Sequence, residues 1–245
     1  MTVYVDELRD YRQTARDKGL RWTQWAHLTA DTPQELHAFA AQLGLRRAWF
    51  QAHPWRWHYD VTAGKRAQAL SLGAKAITVR ELGVIVHVRR LARHGMKALT
   101  VWQPHATAIA VGAKRFETRS RPTSYRGPLA IQAGTHFDLE QQDLCFAEPF
   151  TSMLLAAGIQ TPDDLPRGAV LAVTELTDVL PTDCPQITGQ LTERELAFGD
   201  FSPGRWAWVL RSTRLLPAPI PARGAQGLWQ WRLPSSDETA DEVRQ

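Results

Sequence analysis

Four glycines, Gly44, Gly73, Gly95 and Gly112, each close a segment whose apolar residues recur at helical spacing. Glycine accepts the left-handed backbone that ends a helix, so these positions read as helix stops. The helices are therefore short, and the stretches between them are rich in β-formers. "TVYV" (2–5) reads as a strand and "RWTQWAHLTA" (21–30) as a second. Asp31 or Thr32 caps a helix with Pro33 in its first turn and Leu36, Phe39, Ala40 and Leu43 on one face. A helix over 63–72 and a strand "KAITV" follow. Strands alternating with helices predict a small α/β domain over 1–82.

"RELGVIVHVRRLARHG" predicts a helix, with 83–96 as a helical linker. The pattern then restarts with the strand "KALTVW". A short helix from Pro104, extended "RFETR", a strand "PLAIQAG" and a helical region over about 138–158 follow. Three more strands, "GAVLAVTELTDVL", "GRWAWVLRSTRLL" and "GLWQWRL", close the block at 233. Non-sequential strands with interleaved helices suggest a small mixed barrel over 97–233. The acidic tail 234–245 lacks core residues and is expected to be disordered.

Charge divides unevenly. Residues 1–96 hold 15 Lys and Arg against 8 Asp and Glu, a balance of +7, and the remainder holds 14 against 17, a balance of −3. A basic first block suggests a polyanionic partner, although a solvated surface would look the same. No apolar stretch suits a membrane span, and the N-terminus is charged where a signal peptide would be apolar. Cys145 and Cys184 stand far apart, in no metal or redox spacing, so a reducing, cytoplasmic setting is expected.

The chemistry concentrates in "GAKRFETRS" (112–120). Residues two apart on a strand share a face, so Glu117 and Arg119 point together while Phe116 and Thr118 point the other way. Lys114 follows the turn at Gly112 and can swing toward Glu117. A carboxylate accepts hydrogen bonds while ammonium and guanidinium donate them, which suits a planar polar ligand. Spacing alone fits an exposed ion-pair cluster equally well.

The stretch "KALTVWQPHATAIAVGAKRFETRSRPTSYRGPLAIQAG" resembles the start of an ASCH domain, the activating signal cointegrator homology family. That family's signature Gly-x-Lys-x-x-Glu-x-Arg is present as Gly112, Lys114, Glu117 and Arg119. "LPRGAVLAVTELTDVL", "FGDFSPGRWAWVL" and "PIPARGAQGLWQWRL" extend the resemblance to about 233. It implies an α+β fold: a PUA-like mixed β-barrel with flanking helices, here preceded by the small α/β domain. It also implies a cleft, lined by the signature residues, that meets RNA or a nucleotide. Arg115, Arg121 and Arg126 are then expected at phosphates. Asp200 and Arg205 are expected to complete the pocket. Small bacterial ASCH proteins are amidohydrolases on an acetylated cytidine, and some relatives are ribonucleases. The amidohydrolase pattern places a threonine three residues after the lysine, where this chain has Glu117. If the site is catalytic, Glu117 is the expected general base and Lys114 the charge-stabilising group.

The first block, "TVYVDE" to "HYDVTAGKRAQALSLGA", resembles a small bacterial and phage domain of unknown function. Its polar candidates are Asp6, His27, Asp31, His37, His58, Asp60 and Lys65. Such residues could meet around a metal or a phosphate, and "HYD" puts His58 and Asp60 on one face if extended. No pair has His-x-x-x-His spacing, and neither a metal nor a cofactor is expected. The patch "RRAWFQAHPWRWHYDV" alternates aromatic rings with arginines, the ingredients of single-strand binding, although large rings usually bury.

Three functions fit: an RNA- or modified-nucleotide-binding protein, a hydrolase of the ASCH type, or a two-domain scaffold.

Overall fold

The computed structural model describes residues 2–233, so the expected acidic tail lies outside the described residues. Contacts between Cα atoms divide the chain into two compact units, the first running to His94 and the second spanning Gly95–Trp231.

The first unit contains strands β1 (Val3–Val5), β2 (Arg9–Asp10), β3 (Gln24–Ala30), β4 (Tyr59–Val61) and β5 (Lys75–Ala76). Its helices are α1 (Arg12–Asp17), α2 (Pro33–Gln42), α3 (Ala63–Ser71) and α4 (Val79–Arg93). The sheet order is β2-β3-β1-β5, with β4 also paired to β3. β1 runs antiparallel to β3 and parallel to β5. Alternation along the strands gives the sheet two different faces. Val3, Val5, Ala26, Leu28, Ala30, Tyr59 and Val61 join Leu36, Ala40 and Ala69 of α2 and α3 in one core. His27 and Asp60, which stand opposite each other in the β3–β4 register, fall on the other face.

Of the two capping candidates, Asp31 and Thr32, it is Thr32 that caps α2, accepting from the Glu35 amide. The expected strand "KAITV" is cut to two residues. Thr78 and Glu81 instead form a reciprocal capping box that starts α4 at Val79. The segment 83–96, expected as a helical linker, falls largely within α4. That helix buries Ile85, Val88, Arg89 and Ala92 and groups with the first unit.

The second unit contains β6 (Met96–Val101), β7 (Phe116–Arg119), β8 (Gly127–Ala133), β9 (Ala169–Pro181), β10 (Trp206–Pro221) and β11 (Leu228–Trp231). Its helices are α5 (His105–Ala110), α6 (Leu139–Cys145), α7 (Phe150–Ala156), α8 (Pro185–Thr188) and α9 (Glu193–Ala197). Six strands form one mixed sheet in the order β11-β6-β8-β9-β10-β7. β6 and β8 are parallel and the other neighbours antiparallel. The fold is thus α+β. Leu99, Ile109, Leu129, Ile131, Leu171, Leu176, Trp208 and Leu210 anchor its core, with Trp206 packed against them.

Gly112 takes φ +78, which a side chain would resist. It turns the chain from α5 into the approach to β7, and this turn delivers Lys114 to the site. Helices α8 and α9 follow no strong apolar period, and the sequence pattern does not predict them.

Candidate functional site

β7 pairs with β10 so that Glu117 stands opposite Trp208 and Arg119 opposite Trp206. Phe116 points the other way and is fully buried with Ile187, Ala207 and Val209. The alternation read from the sequence therefore holds, and it presents Glu117 and Arg119 together.

Lys114 completes the group from beneath. Its ammonium lies 3.4 Å from Glu117 Oε2, while Arg119 Nε lies 3.1 Å from Glu117 Oε1. The Arg119 Nε–H is not aligned for a hydrogen bond there, so that contact is ionic. Arg119 Nη2 donates to the Thr100 carbonyl at 2.9 Å. Lys114 is 2 % exposed, so it is a buried lysine and not one lying along a rim. Its ammonium also donates to the Phe198 carbonyl at the end of α9. Burial pulls the Lys114 pKa down, against the opposing pull of the Glu117 carboxylate.

These groups open onto a cleft of about 1190 Å³ within the second unit. Asp200 and Arg205 line it, with Arg205 Nε 3.2 Å from Asp200 Oδ2. Arg121 also lines it. Arg115 and Arg126 are not in the lining. Arg115 Nε pairs with the buried Glu195 at 2.7 Å, and Arg126 with Asp178 at 3.2 Å. Both guanidiniums act as structural ties between segments distant in sequence.

Sequence reasoning misses His105, Trp102, His136 and Arg223, which also line the cleft. Only His105 carries a signal, as the residue after the helix-starting Pro104. Burial pulls the His105 pKa down to about 4, helped by the neighbouring Lys114 ammonium. Thr118 also departs from expectation. Alternation predicts that it faces away, yet it lines the cleft, and its Oγ1 accepts from the Asp200 amide at 3.2 Å. β7 is the last strand of the sheet, so the loop after α9 can fold across its outer side.

The first unit gathers a different subset of its candidates. The fully buried Asp6 carboxylate accepts the His27 backbone amide and lies 2.8 Å from His27 Nδ1. His58 Nε2 lies 3.5 Å from Asp60 Oδ1. Asp31 stands apart, accepting from the Thr2 amide and the Tyr4 hydroxyl, each at 2.9 Å. Lys65 is spent on the Leu43 carbonyl and Gln68. His37 meets the Tyr59 hydroxyl at 3.0 Å. The aromatic patch largely folds inward: Tyr59 is core, Phe50 and Trp57 pack against it, and Trp49 is exposed under Arg46.

Comparison with known proteins finds two family matches along the chain. Residues 99–210 match the ASCH domain. Residues 3–89 match DUF4031, a family described as a protein of unknown function. Activating signal cointegrator 1 of Homo sapiens is 26% identical to this chain over 132 residues, 54% of this chain and 22% of its own length. The protein of that name from Mus musculus is 25% identical over the same shares. This chain therefore spans about a fifth of the length of those relatives. Among solved structures, ASCH from Zymomonas mobilis is 16% identical, covering 60% of this chain and 93% of its own, with a TM-score of 0.32. A point mutant of that Zymomonas mobilis protein is 17% identical, covering 60% and 96%, also at 0.32. Within the matched segment, Lys114, Glu117 and Arg119 line the cleft. Among the described residues, no helix is long and apolar enough to cross a membrane.

Proposed function

We propose that the ASCH cleft binds RNA through a single base, or a free modified nucleoside or nucleotide. The observation that carries this reading is the Glu117 carboxylate held between Lys114 and Arg119 in a cleft that Arg121, Arg205 and Arg223 also line. A fixed carboxylate accepts from the exocyclic amine or ring N–H of a base, and the surrounding guanidiniums suit phosphates. Exposed Trp102 and His136, with ring centroids 4.7 Å apart, offer a surface on which a base stacks. The test is equilibrium binding of labelled RNA and of cytidine derivatives to wild type, Arg119→Ala and Glu117→Gln. Both variants are expected to bind at least about tenfold more weakly, the scale of a lost charged hydrogen bond. Unchanged affinity in both would remove the cleft from the binding surface.

One observation favours hydrolysis as the second reading. A side-chain carbon placed on Gly199 would stand 3.1 Å from Thr118 Oγ1 and 3.2 Å from Lys114 Nζ. A hydroxyl and an amine with a lowered pKa thus share one corner of the cleft, beside Glu117. In this reading Glu117 activates water or Thr118 and Lys114 stabilises the developing charge. Turnover of an N-acetylated cytidine that is lost in Glu117→Gln would support this reading.

A further inference from the structure

We propose that the first unit holds a divalent transition-metal ion of the zinc type, ligated by His27 Nε2, His58 Nε2 and Asp60 Oδ1, with one coordination position open to an adjoining cavity. The three ligand atoms lie within 4.8 Å of one another. Register explains how they meet. His27 and Asp60 are directly opposed across β3 and β4, and His58 lies two residues before Asp60, on the same face.

The outer hydrogen bonds carry the argument further. His58 Nδ1 lies 2.7 Å from the Arg56 carbonyl, which can only accept, so the proton sits on Nδ1. His27 Nδ1 faces the buried Asp6 carboxylate, which also accepts the His27 amide and so holds the ring from two directions. Each ring, when neutral, therefore turns an Nε2 lone pair inward. One lies 3.9 Å and the other 3.5 Å from Asp60 Oδ1. That oxygen is buried and has no hydrogen-bond partner among the described residues. Two lone pairs and a carboxylate oxygen that face one another call for a positive charge between them, a metal ion or a proton, and two imidazoles converging on one carboxylate oxygen give the donor set of a metal ion. Metal-bound histidines characteristically donate their second N–H to a carboxylate or a backbone carbonyl, and this site supplies one of each.

A tetrahedral ion with bonds near 2.0–2.1 Å sets its ligand atoms about 3.3 Å apart, close to the 3.5 Å and 3.9 Å that already separate the two Nε2 atoms from Asp60 Oδ1. Imidazole and carboxylate together suit zinc and its neighbours in the first transition row. His27 and His58 also line a cavity of about 370 Å³ with Arg56 and Arg89. Three protein ligands and access to a cavity are the pattern of a site that binds water or an anionic oxygen in its fourth position.

The test uses the full chain, stripped with a chelator and then titrated with Zn²⁺ and, separately, Co²⁺. One equivalent of zinc per chain is expected, along with the visible absorption of tetrahedral cobalt. His58→Gln and the nearly isosteric Asp60→Asn are expected to abolish stoichiometric uptake, with circular dichroism confirming that they fold. Asp6→Asn, which leaves all three ligands in place, is expected to weaken zinc binding about 10–100-fold. The exposed His94→Gln is expected to bind zinc as wild type does. Folded wild type that takes up no zinc would show a polar network only and overturn the proposal. Stoichiometric zinc retained by both His58→Gln and Asp60→Asn would place the metal elsewhere and overturn it equally.

Discussion

The ammonium of Lys114 donates to the carbonyl of Phe198, 84 residues further along the chain, while the same ammonium lies 3.4 Å from Glu117. One side chain thus ends α9 and supports the carboxylate at the centre of the cleft. A cation at a helix C-terminus also meets the negative end of the helix dipole. The next residue, Arg115, pairs with Glu195 inside that helix. Two consecutive basic residues therefore fix α9 and the loop that follows it.

Lys114 is expected to matter for folding as well as for binding. Lys114→Ala removes the partner of a buried carbonyl and one of two cations at the largely buried Glu117. A loss of about 1–3 kcal/mol is expected by urea denaturation. Lys114→Met, which keeps the stem but not the charge, should recover only the packing share. Wild-type stability in Lys114→Ala would mean that the contact with Phe198 contributes nothing.

His105 gives the second unit a pH dependence of known sign. The ring has an ordinary pKa of 6.5 but is held down to about 4 in the fold. Between those values the unfolded chain binds a proton that the folded chain refuses. Stability is therefore full above about pH 6.5 and declines as pH falls toward 4, by at most about 3 kcal/mol. His105→Gln should flatten this decline in thermal unfolding followed across the window. An identical slope in the variant would assign the decline to other groups.

Cleft arginines and tying arginines should separate in a salt titration. Arg121→Ala and Arg223→Ala are each expected to lower the slope of log affinity for RNA against log salt by about one. Arg126→Ala, whose guanidinium is held by Asp178 and the Thr123 carbonyl, should leave the slope unchanged. Equal slopes in all three variants would mean that RNA does not enter along this cleft.

The second unit should fold alone. A fragment of residues 95–233 contains the whole six-stranded sheet and its core. A single cooperative transition by calorimetry is expected. An aggregated or non-cooperative fragment would show that the unit depends on the chain before it.

Local features of the sequence account for much of this architecture. The cap at 31 or 32, the glycine at 112 and the alternation of Phe116, Glu117 and Arg119 act over a few residues, and all three are legible, the first only to within one residue. The same alternation misleads at Thr118, because it describes a strand without the loop that folds over its outer side. The burial of Lys114 is also illegible in the sequence, since its cause is a carbonyl 84 residues away. Arg115 and Arg126 look free for phosphates for the same reason: their acids, Glu195 and Asp178, lie far along the chain. "HYD" is legible as one face, but the β3–β4 register that brings His27 against it is not.

Gly199 lies where the loop after α9 passes over the cleft, and its backbone does not need the left-handed freedom of glycine. What it supplies is an absence. A methyl group there would crowd Thr118 Oγ1, Lys114 Nζ and Phe201, each 3.1–3.2 Å away. Even alanine would make those side chains give by a few tenths of an ångström. The room at this corner of the cleft is thus set by one missing carbon.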